Sequence, residues 1–248
     1  MDLRDQMHRV ALQWPCYGSR RMAAELTARG WKVGRELVRR LMREDNLLCV
    51  LKRRFVIATT DSRHGLAVYR NRAAEMTLTG LDQLWVADIT YIRLERQFVY
   101  LAVVLDAYSR RVIGWHLDEN IDVALTLAAL RMAIRGRGVN AGLVHHSDRG
   151  VQYASHQYTE VLQQHGIEIS MSRKANPWDN AACESFMKTL KREEVYRTEY
   201  RNVTHARACI QAFLERVYNQ KRLHSALKYR SPAAFERSLR AATTTVTR

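Results

Sequence analysis

Leu84-Trp-Val-Ala-Asp-Ile-Thr-Tyr-Ile92 is a run of apolar, β-branched and aromatic residues with one carboxylate, Asp88, in its middle. A carboxylate on a buried strand is costly unless it is paired or binds a metal. The segments that follow, Gln97–Asp106 and Arg110–Leu117, have the same β-rich character and are separated by short turn-like stretches. The pattern predicts three consecutive antiparallel strands with an acid inside the first. Downstream, Val123–Arg135 reads as a helix, Leu143–His146 as a short strand, Ser155–His165 as a helix ended by Gly166, and Ile167–Ser170 as a further short strand. Asn176-Pro-Trp-Asp-Asn180 interrupts the chain before helices over about Ala181–Tyr196 and Thr204–Asn219.

Three strands, helix, strand, helix, strand and then helices is the element order of a ribonuclease-H-like α/β fold, a mixed sheet flanked by helices. In that fold the first strand is central and its mid-strand acid lies beside the end of the fourth. Asp88 and Asp148, in Leu143-Val-His-His-Ser-Asp-Arg-Gly150, occupy those two places. A third acid, Glu184, sits on the predicted helix Asn180-Ala-Ala-Cys-Glu-Ser-Phe-Met-Lys-Thr-Leu-Lys191, with thirty-five residues between it and Asp148. Two strand carboxylates and one helix carboxylate form an oxygen-rich pocket suited to two Mg²⁺ ions, which clamp the attacking and leaving oxygens of a phosphodiester. His145 and His146 adjoin Asp148, but Mg²⁺ prefers oxygen, so they are weak ligand candidates; His146 is a candidate for positioning water or phosphate.

On the helical wheel, Cys183, Phe186, Met187 and Leu190 form one stripe, with Glu184, Lys188 and Lys191 on the neighbouring face. Both lysines are therefore expected to point along one groove beside Glu184, placed to meet a polyanion.

Residues 1–48 read as three helices: Leu3 to Gln13, a second capped by Ser19 and ended by Gly30, and a third over about Gly34–Glu44. The third buries Val38, Leu41 and Met42 and carries Arg35, Arg39, Arg40 and Arg43, which is a helix-turn-helix pattern with a basic second helix. Residues 49–81 lose periodicity and form a basic linker containing Lys52, Arg53 and Arg54 and the cluster Arg70-Asn71-Arg72, placed to lie along phosphates. The catalytic core with its C-terminal helices is assigned to 82–240 and a frayed tail to 241–248.

The net charge is +15. Residues 1–84 hold 16 basic and 9 acidic side chains, 85–170 hold 8 and 9, and 171–248 hold 16 and 7. A near-neutral centre between basic flanks suits a core gripped around a polyanion. Cys16, Cys49, Cys183 and Cys209 form no C-x-x-C pair, which argues against zinc and disulfide frameworks. No apolar run reaches membrane-spanning length and the N-terminus lacks a signal-peptide core, so a cytoplasmic, nucleoid-associated protein is expected.

Several segments together resemble bacterial insertion-sequence transposases whose catalytic core is similar to retroviral integrase. They are Tyr17-Gly-Ser-Arg-Arg-Met-Ala-Ala-Glu-Leu26, Trp85-Val-Ala-Asp-Ile-Thr-Tyr91, His146-Ser-Asp-Arg-Gly150 and Asn176-Pro-Trp-Asp-Asn-Ala-Ala-Cys-Glu-Ser-Phe186 with Lys188-Thr-Leu-Lys191. Tyr218-Asn-Gln-Lys-Arg-Leu-His-Ser-Ala-Leu227 and Ser231-Pro-Ala-Ala-Phe235 complete the set, in the family's order. The chain looks most like the downstream-frame product of a two-frame element, with Ser19 where an aromatic is common. The resemblance implies that Asp88, Asp148 and Glu184 are the Asp-Asp-Glu ligands of two Mg²⁺ ions, for which Mn²⁺ can substitute. It implies an enzyme that cleaves a DNA strand at an element end and joins the 3′-OH to target DNA. It also implies action as a homo-oligomer on double-stranded DNA, with an upstream-frame protein as a further partner, separate or fused. The competing readings are a nuclease of the same fold acting on hybrids or junctions, and a non-catalytic DNA-binding regulator using residues 17–44. The polar cluster Tyr218, Arg222 and His224 reads as a docking corner for either the core or DNA.

Overall fold

The computed structural model describes residues 2–47, 66–173 and 180–246, with side chains through residue 242. Lys52, Arg53, Arg54, Cys49, Asn176 and Trp178 lie outside these residues.

The N-terminal helices are α1 (Leu3–Gln13), α2 (Ser19–Ala28) and α3 (Arg35–Glu44). Met7 and Val10 of α1, Met22 and Leu26 of α2, and Val38, Leu41 and Met42 of α3 close one small core. Ser19 is the first helical residue rather than the cap; Gly18 is the N-cap and no side chain caps this end. Gly30 lies at φ 89° just beyond α2, a conformation that favours glycine.

Five strands follow: β1 (Leu84–Arg93), β2 (Phe98–Asp106), β3 (Val112–Asp118), β4 (Val144–Ser147) and β5 (Glu168–Met171). They lie in the order β3-β2-β1-β4-β5. β1, β2 and β3 are antiparallel neighbours, whereas β1–β4 and β4–β5 are parallel. The parallel crossovers run through α4 (Val123–Arg137) and through α5 (Val151–Ala154) with α6 (His156–Gln164). Ser155 caps α6, its hydroxyl accepting from the Tyr158 N–H. Three further α-helices lie among the described residues: α7 (Ala181–Leu190), α8 (Val203–Gln211) and α9 (Pro232–Val246). α7 and α8 each continue into a π-helical turn, Lys191–Val195 and Ala212–Tyr218. The two long C-terminal helices read from the sequence are thus α-helices with wide final turns. α9 carries helix into the segment expected as a frayed tail.

The period-two alternation of β1 separates two cores. Leu84 and Val86 pack with Cys183, Phe186, Met187 and Leu190 of α7 and with Ile210 and Phe213. Trp85 and Ala87 pack on the opposite face with Leu125, Ala129 and Leu130 of α4 and with Tyr158 and Leu162 of α6. Asp88 has the parity of Leu84 and Val86, so the strand turns it to the α7 side.

α4 lies close to the sheet because β3 carries Gly114. A Cβ built there would stand 2.2 Å from the Ala129 carbonyl oxygen and 2.9 Å from the Ala133 nitrogen. Both are backbone atoms and cannot swing aside. Gly114→Ala should therefore push α4 off the sheet and cost at least about 2 kcal/mol, as overpacking does. Thermal unfolding followed by circular dichroism should show a Tm lower by roughly 4–8 °C. An unchanged Tm would mean that the helix is not seated this closely.

Candidate active site

The sheet brings two of the three predicted acids together by register alone. In the parallel β1–β4 pair Leu84 faces Val144, Trp85 faces His145 and Val86 faces His146. Two residues further on, the same offset sets Asp88 beside Asp148, which follows the end of β4. Asp88 is half-buried. Its carboxyl is pushed up to about 7, first by burial and then by the negative charge of Asp148. The Ile89 N–H, donating to Asp88 Oδ1 at 2.9 Å, and the Lys191 ammonium pull the other way, and Glu184 adds a smaller upward push. Asp148 and Glu184 are thus both within electrostatic reach of Asp88. Asp148 is oriented by the Gly150 N–H, which donates to its Oδ1 at 2.9 Å. Gly150 suits this tight turn, since a Cβ there would stand 3.0 Å from the same oxygen.

Glu184 arrives from the other side, in the first turn of α7. The helix is seated on its Cys183–Phe186–Met187–Leu190 stripe, as the wheel predicts. Its start is tied to the sheet by Asn180, whose Nδ2 donates to the Ala87 carbonyl at 3.0 Å, one residue before Asp88. Among the described residues no three His, Cys, Asp or Glu side chains stand close enough to enclose an ion. Oxygen donors on two neighbouring strands and a facing helix nonetheless match what Mg²⁺ accepts.

The two lysines expected side by side in the groove are used differently. Lys188 is ion-paired to Glu184 at 2.9 Å on an exposed part of the helix. Lys191 is half-buried, with its Nζ 4.4 Å from the centre of the Tyr91 ring. Burial lowers its pKa and the charge of Asp88 opposes that shift. The difference follows from position: Lys191 opens the π-helical turn, where the 3.6-residue wheel no longer applies.

The two histidines beside Asp148 are fully buried. His145 Nε2 lies 3.0 Å from the Tyr158 hydroxyl, and burial lowers its pKa to about 3. His146 sits between Ser170 Oγ (2.8 Å from Nδ1) and Ser172 Oγ (2.9 Å from Nε2). Ser170 Oγ already accepts the N–H groups of Arg72 and Ala73. Its own hydrogen is therefore free for Nδ1, which leaves Nε2 as the His146 donor to Ser172. Both rings are thus held by hydrogen bonds inside the core.

The same contacts revise the reading of Arg70-Asn71-Arg72. Arg72 is ion-paired to Glu168 on β5 at 2.9 Å and Arg70 to Glu75 at 2.6 Å. This stretch is fastened along the edge of the sheet. The Tyr218–His224 cluster is likewise a corner of the core. Arg222 is buried, with Nε 2.7 Å from Glu193 Oε2 and Nη2 2.8 Å from Oε1. The Tyr218 ring packs edge-on against Phe186 of α7 and against His224, each at 4.9 Å. Leu223 donates its N–H to the Tyr17 hydroxyl and accepts from Arg21 Nε through its carbonyl, which joins the N-terminal helices to this corner. Asn219 bonds both backbone groups of Val112 on β3, at 3.0 and 2.9 Å. Sequence reasoning singled out neither Asn180 nor Glu193. Asn180 lay within a quoted motif, but Glu193 had no local signal.

The candidate DNA contacts Arg35, Arg39, Arg40 and Arg43 are all exposed on α3. Arg39 pairs with Glu36 at 2.8 Å and Arg40 with Glu44 at 3.7 Å.

Comparison with known proteins agrees with this architecture. Residues 79–177 and 165–232 match two family models described as integrase core domains, and residues 2–55 match an HTH-like domain. A 31 kDa protein of insertion element IS600 from Shigella sonnei is 42% identical over 220 residues, covering 88% of this chain and 80% of that protein. The transposase InsF of insertion sequence IS3A from Escherichia coli K12 is 35% identical over 221 residues, 89% of this chain and 76% of the relative. Among solved structures, a chain of the simian T-cell lymphotropic virus intasome superposes with a TM-score of 0.52 at 13% identity. That superposition covers 94% of this chain and 74% of the viral one, and shows a shared fold.

Proposed function

The chain belongs to the insertion-element transposases that carry an integrase core domain, and from that premise we propose that it cleaves a DNA strand at an element end and transfers the resulting 3′-OH to target DNA. What supports this reading is the Asp88 carboxyl at the end of the sheet, pushed up to about 7 first by burial and then by the charge of Asp148, with a smaller push from Glu184. Such a cluster stabilises a dication. Asp88, Asp148 and Glu184 would hold Mg²⁺, which, when bound, makes a water or a 3′-OH nucleophilic and offsets charge on the leaving oxygen.

The protein supplies the rest. β1 and β4 fix the spacing of the first two acids through their register. Asn180 holds the start of α7 so that Glu184 faces them, and the Gly150 N–H orients Asp148. Lys191, beside Tyr91 and Asp88, is placed to meet a phosphate near the acids. Lys188 would do so once Glu184 turns to the metal. The exposed arginines of α3 would hold the duplex, together with the basic residues 52–54. The protein would work as a homo-oligomer on two DNA ends.

The test is a strand-transfer assay with a linear duplex carrying one element end, a supercoiled target and Mg²⁺. Joined products that require the element end are expected, and Mn²⁺ should support them. Hydrolysis of hybrids or junctions without joining would overturn the reading. DNA binding should weaken steeply with salt, by about tenfold or more between 50 and 200 mM, as counterions released from phosphates are replaced. A flat response in a filter-binding titration would remove the basic flanks from the interface.

A further inference from the structure

The exposed face of α3 contains two residues of the wrong sign for a surface that only grips phosphates, Glu36 and Glu44, and Glu44, at the far end of the helix, is paired to Arg4 and Arg40. At about 100° per residue from Arg35, the buried Val38, Leu41 and Met42 fall at about 300°, 240° and 340°. The direction opposite them is occupied by Arg43, Glu36 and Arg40, at about 80°, 100° and 140°. Glu36 is thus in the middle of the presented face, in line with two arginines, and its side chain is 69% exposed. Glu36, Arg39, Arg40 and Arg43 also border one surface depression, together with Leu37 and Glu44.

An acid at this place works against binding by charge alone, because it meets the phosphates that Arg40 and Arg43 attract. Glu36 is in the first turn of α3, the part of a recognition helix that reaches base edges in the major groove. A carboxylate there is satisfied by an amino group, which cytosine N4 presents, and is repelled by the paired acceptors of guanine. Arg39, 2.8 Å from Glu36, would partner the carboxylate in the free protein and could turn its own donors to a neighbouring base pair. Taking α3 as the DNA-facing helix, the reading on which this rests, we propose that Glu36 is a specificity-determining residue that reads a cytosine amino group, while Arg40 and Arg43 supply affinity.

The experiment is selection of bound duplexes from a randomised library by the full chain and by its Glu36→Gln, Arg40→Ala and Arg43→Ala variants. Circular dichroism confirms that each is folded, and titrations on the selected and a scrambled duplex follow. The wild type should enrich a motif with cytosine at one position. Glu36→Gln should change the base preferred there and lower the ratio of selected to scrambled affinity by about tenfold, the effect of one base contact. Arg40→Ala and Arg43→Ala should weaken both duplexes alike and each reduce the salt slope by about one. An unchanged motif and ratio for Glu36→Gln, with the arginine variants weakened, would overturn the proposal and leave α3 on DNA. Arginine variants that bind like wild type would take α3 off DNA and the proposal with it. A wild-type chain that enriches no motif would overturn it as well.

Discussion

Asp88→Asn, Asp148→Asn and Glu184→Gln should each reduce strand cleavage and joining by at least about a hundredfold, because metal catalysis supplies several kcal/mol and each 1.4 kcal/mol is a factor of ten. Each substitution keeps the shape of the side chain and removes the charge that opposes Mg²⁺. DNA binding by the N-terminal helices should persist. A variant retaining more than a few per cent of wild-type joining would show that its acid is not an essential ligand.

Asp88→Asn has a second expected effect, on stability, which separates the electrostatic reading from the catalytic one. The Asp88 carboxyl is raised from an ordinary 3.8 to about 7 in the fold. Between those values the folded state binds more protons than the unfolded chain, so stability falls as pH rises through this window. At about 1.4 kcal/mol per unit the loss has a ceiling of about 4 kcal/mol. The asparagine variant should lack this loss and be the more stable protein at pH 8 without metal. Millimolar Mg²⁺ should raise the Tm of the wild type by roughly 5–10 °C if it reaches about a hundred times its Kd. It should leave Asp88→Asn nearly unmoved. Equal Tm values for the two proteins across pH 5–8 would mean that the acids do not strain one another.

Glu236→Ala should cost about 3–5 kcal/mol, the usual penalty for leaving a buried charge without its partner. Glu236 is buried on α9 and ion-paired to Arg137 of α4 and to Arg111, whose Nη1 is 2.6 Å away. It accepts from Ser109 Oγ at 2.7 Å. The network extends to Asp106, which accepts the N–H groups of Ser109 and Asp82 at 2.6 and 2.7 Å. The alanine variant leaves the buried Arg137 guanidinium with only the longer pair to Asp82, at 3.5 Å, and a Tm lower by roughly 6–20 °C is expected in differential scanning calorimetry. Burial raises the Glu236 pKa, but the charge of Arg137 and the Ser109 and Arg111 hydrogen bonds outweigh it and hold the carboxyl below its ordinary value. This contribution is therefore complete above the ordinary carboxylate range and is lost as pH falls through the lowered value, the reverse of Asp88. Glu236→Ala should flatten the acid limb of the stability profile; a Tm within 2 °C of wild type would show that α9 is not fastened here.

Glu236 also shows where sequence reading stops. Its motif, Ser231-Pro-Ala-Ala-Phe235, was visible, yet nothing local says that the next residue meets arginines 99 and 125 positions away. Glu193 and Arg222 pair across 29 residues in the same way. Periodicity reports which face of an element is apolar, and an isolated charge carries no periodicity. Ser19 misled for a related reason: a good capping residue stood one position inside the helix, and Gly18 took the cap.

What the sequence determined by itself was the order and type of the elements from α1 to α8 apart from the short α5, the small N-terminal helical core, and the apolar stripe of α7 that places Glu184 on a neighbouring face; α9 was not read. These depend on local propensity and on periods of 2 and 3.6, which are written in consecutive residues. The parallel register of β1 and β4, the tie from Asn180 to Ala87, the π-helical turn that separates Lys191 from Lys188, and the turning of His145 and His146 into the core were decided by tertiary structure. Each depends on which backbone groups and charges meet across dozens of residues, where burial favours arrangements in which most polar groups find a partner and so selects one from many that local preferences allow.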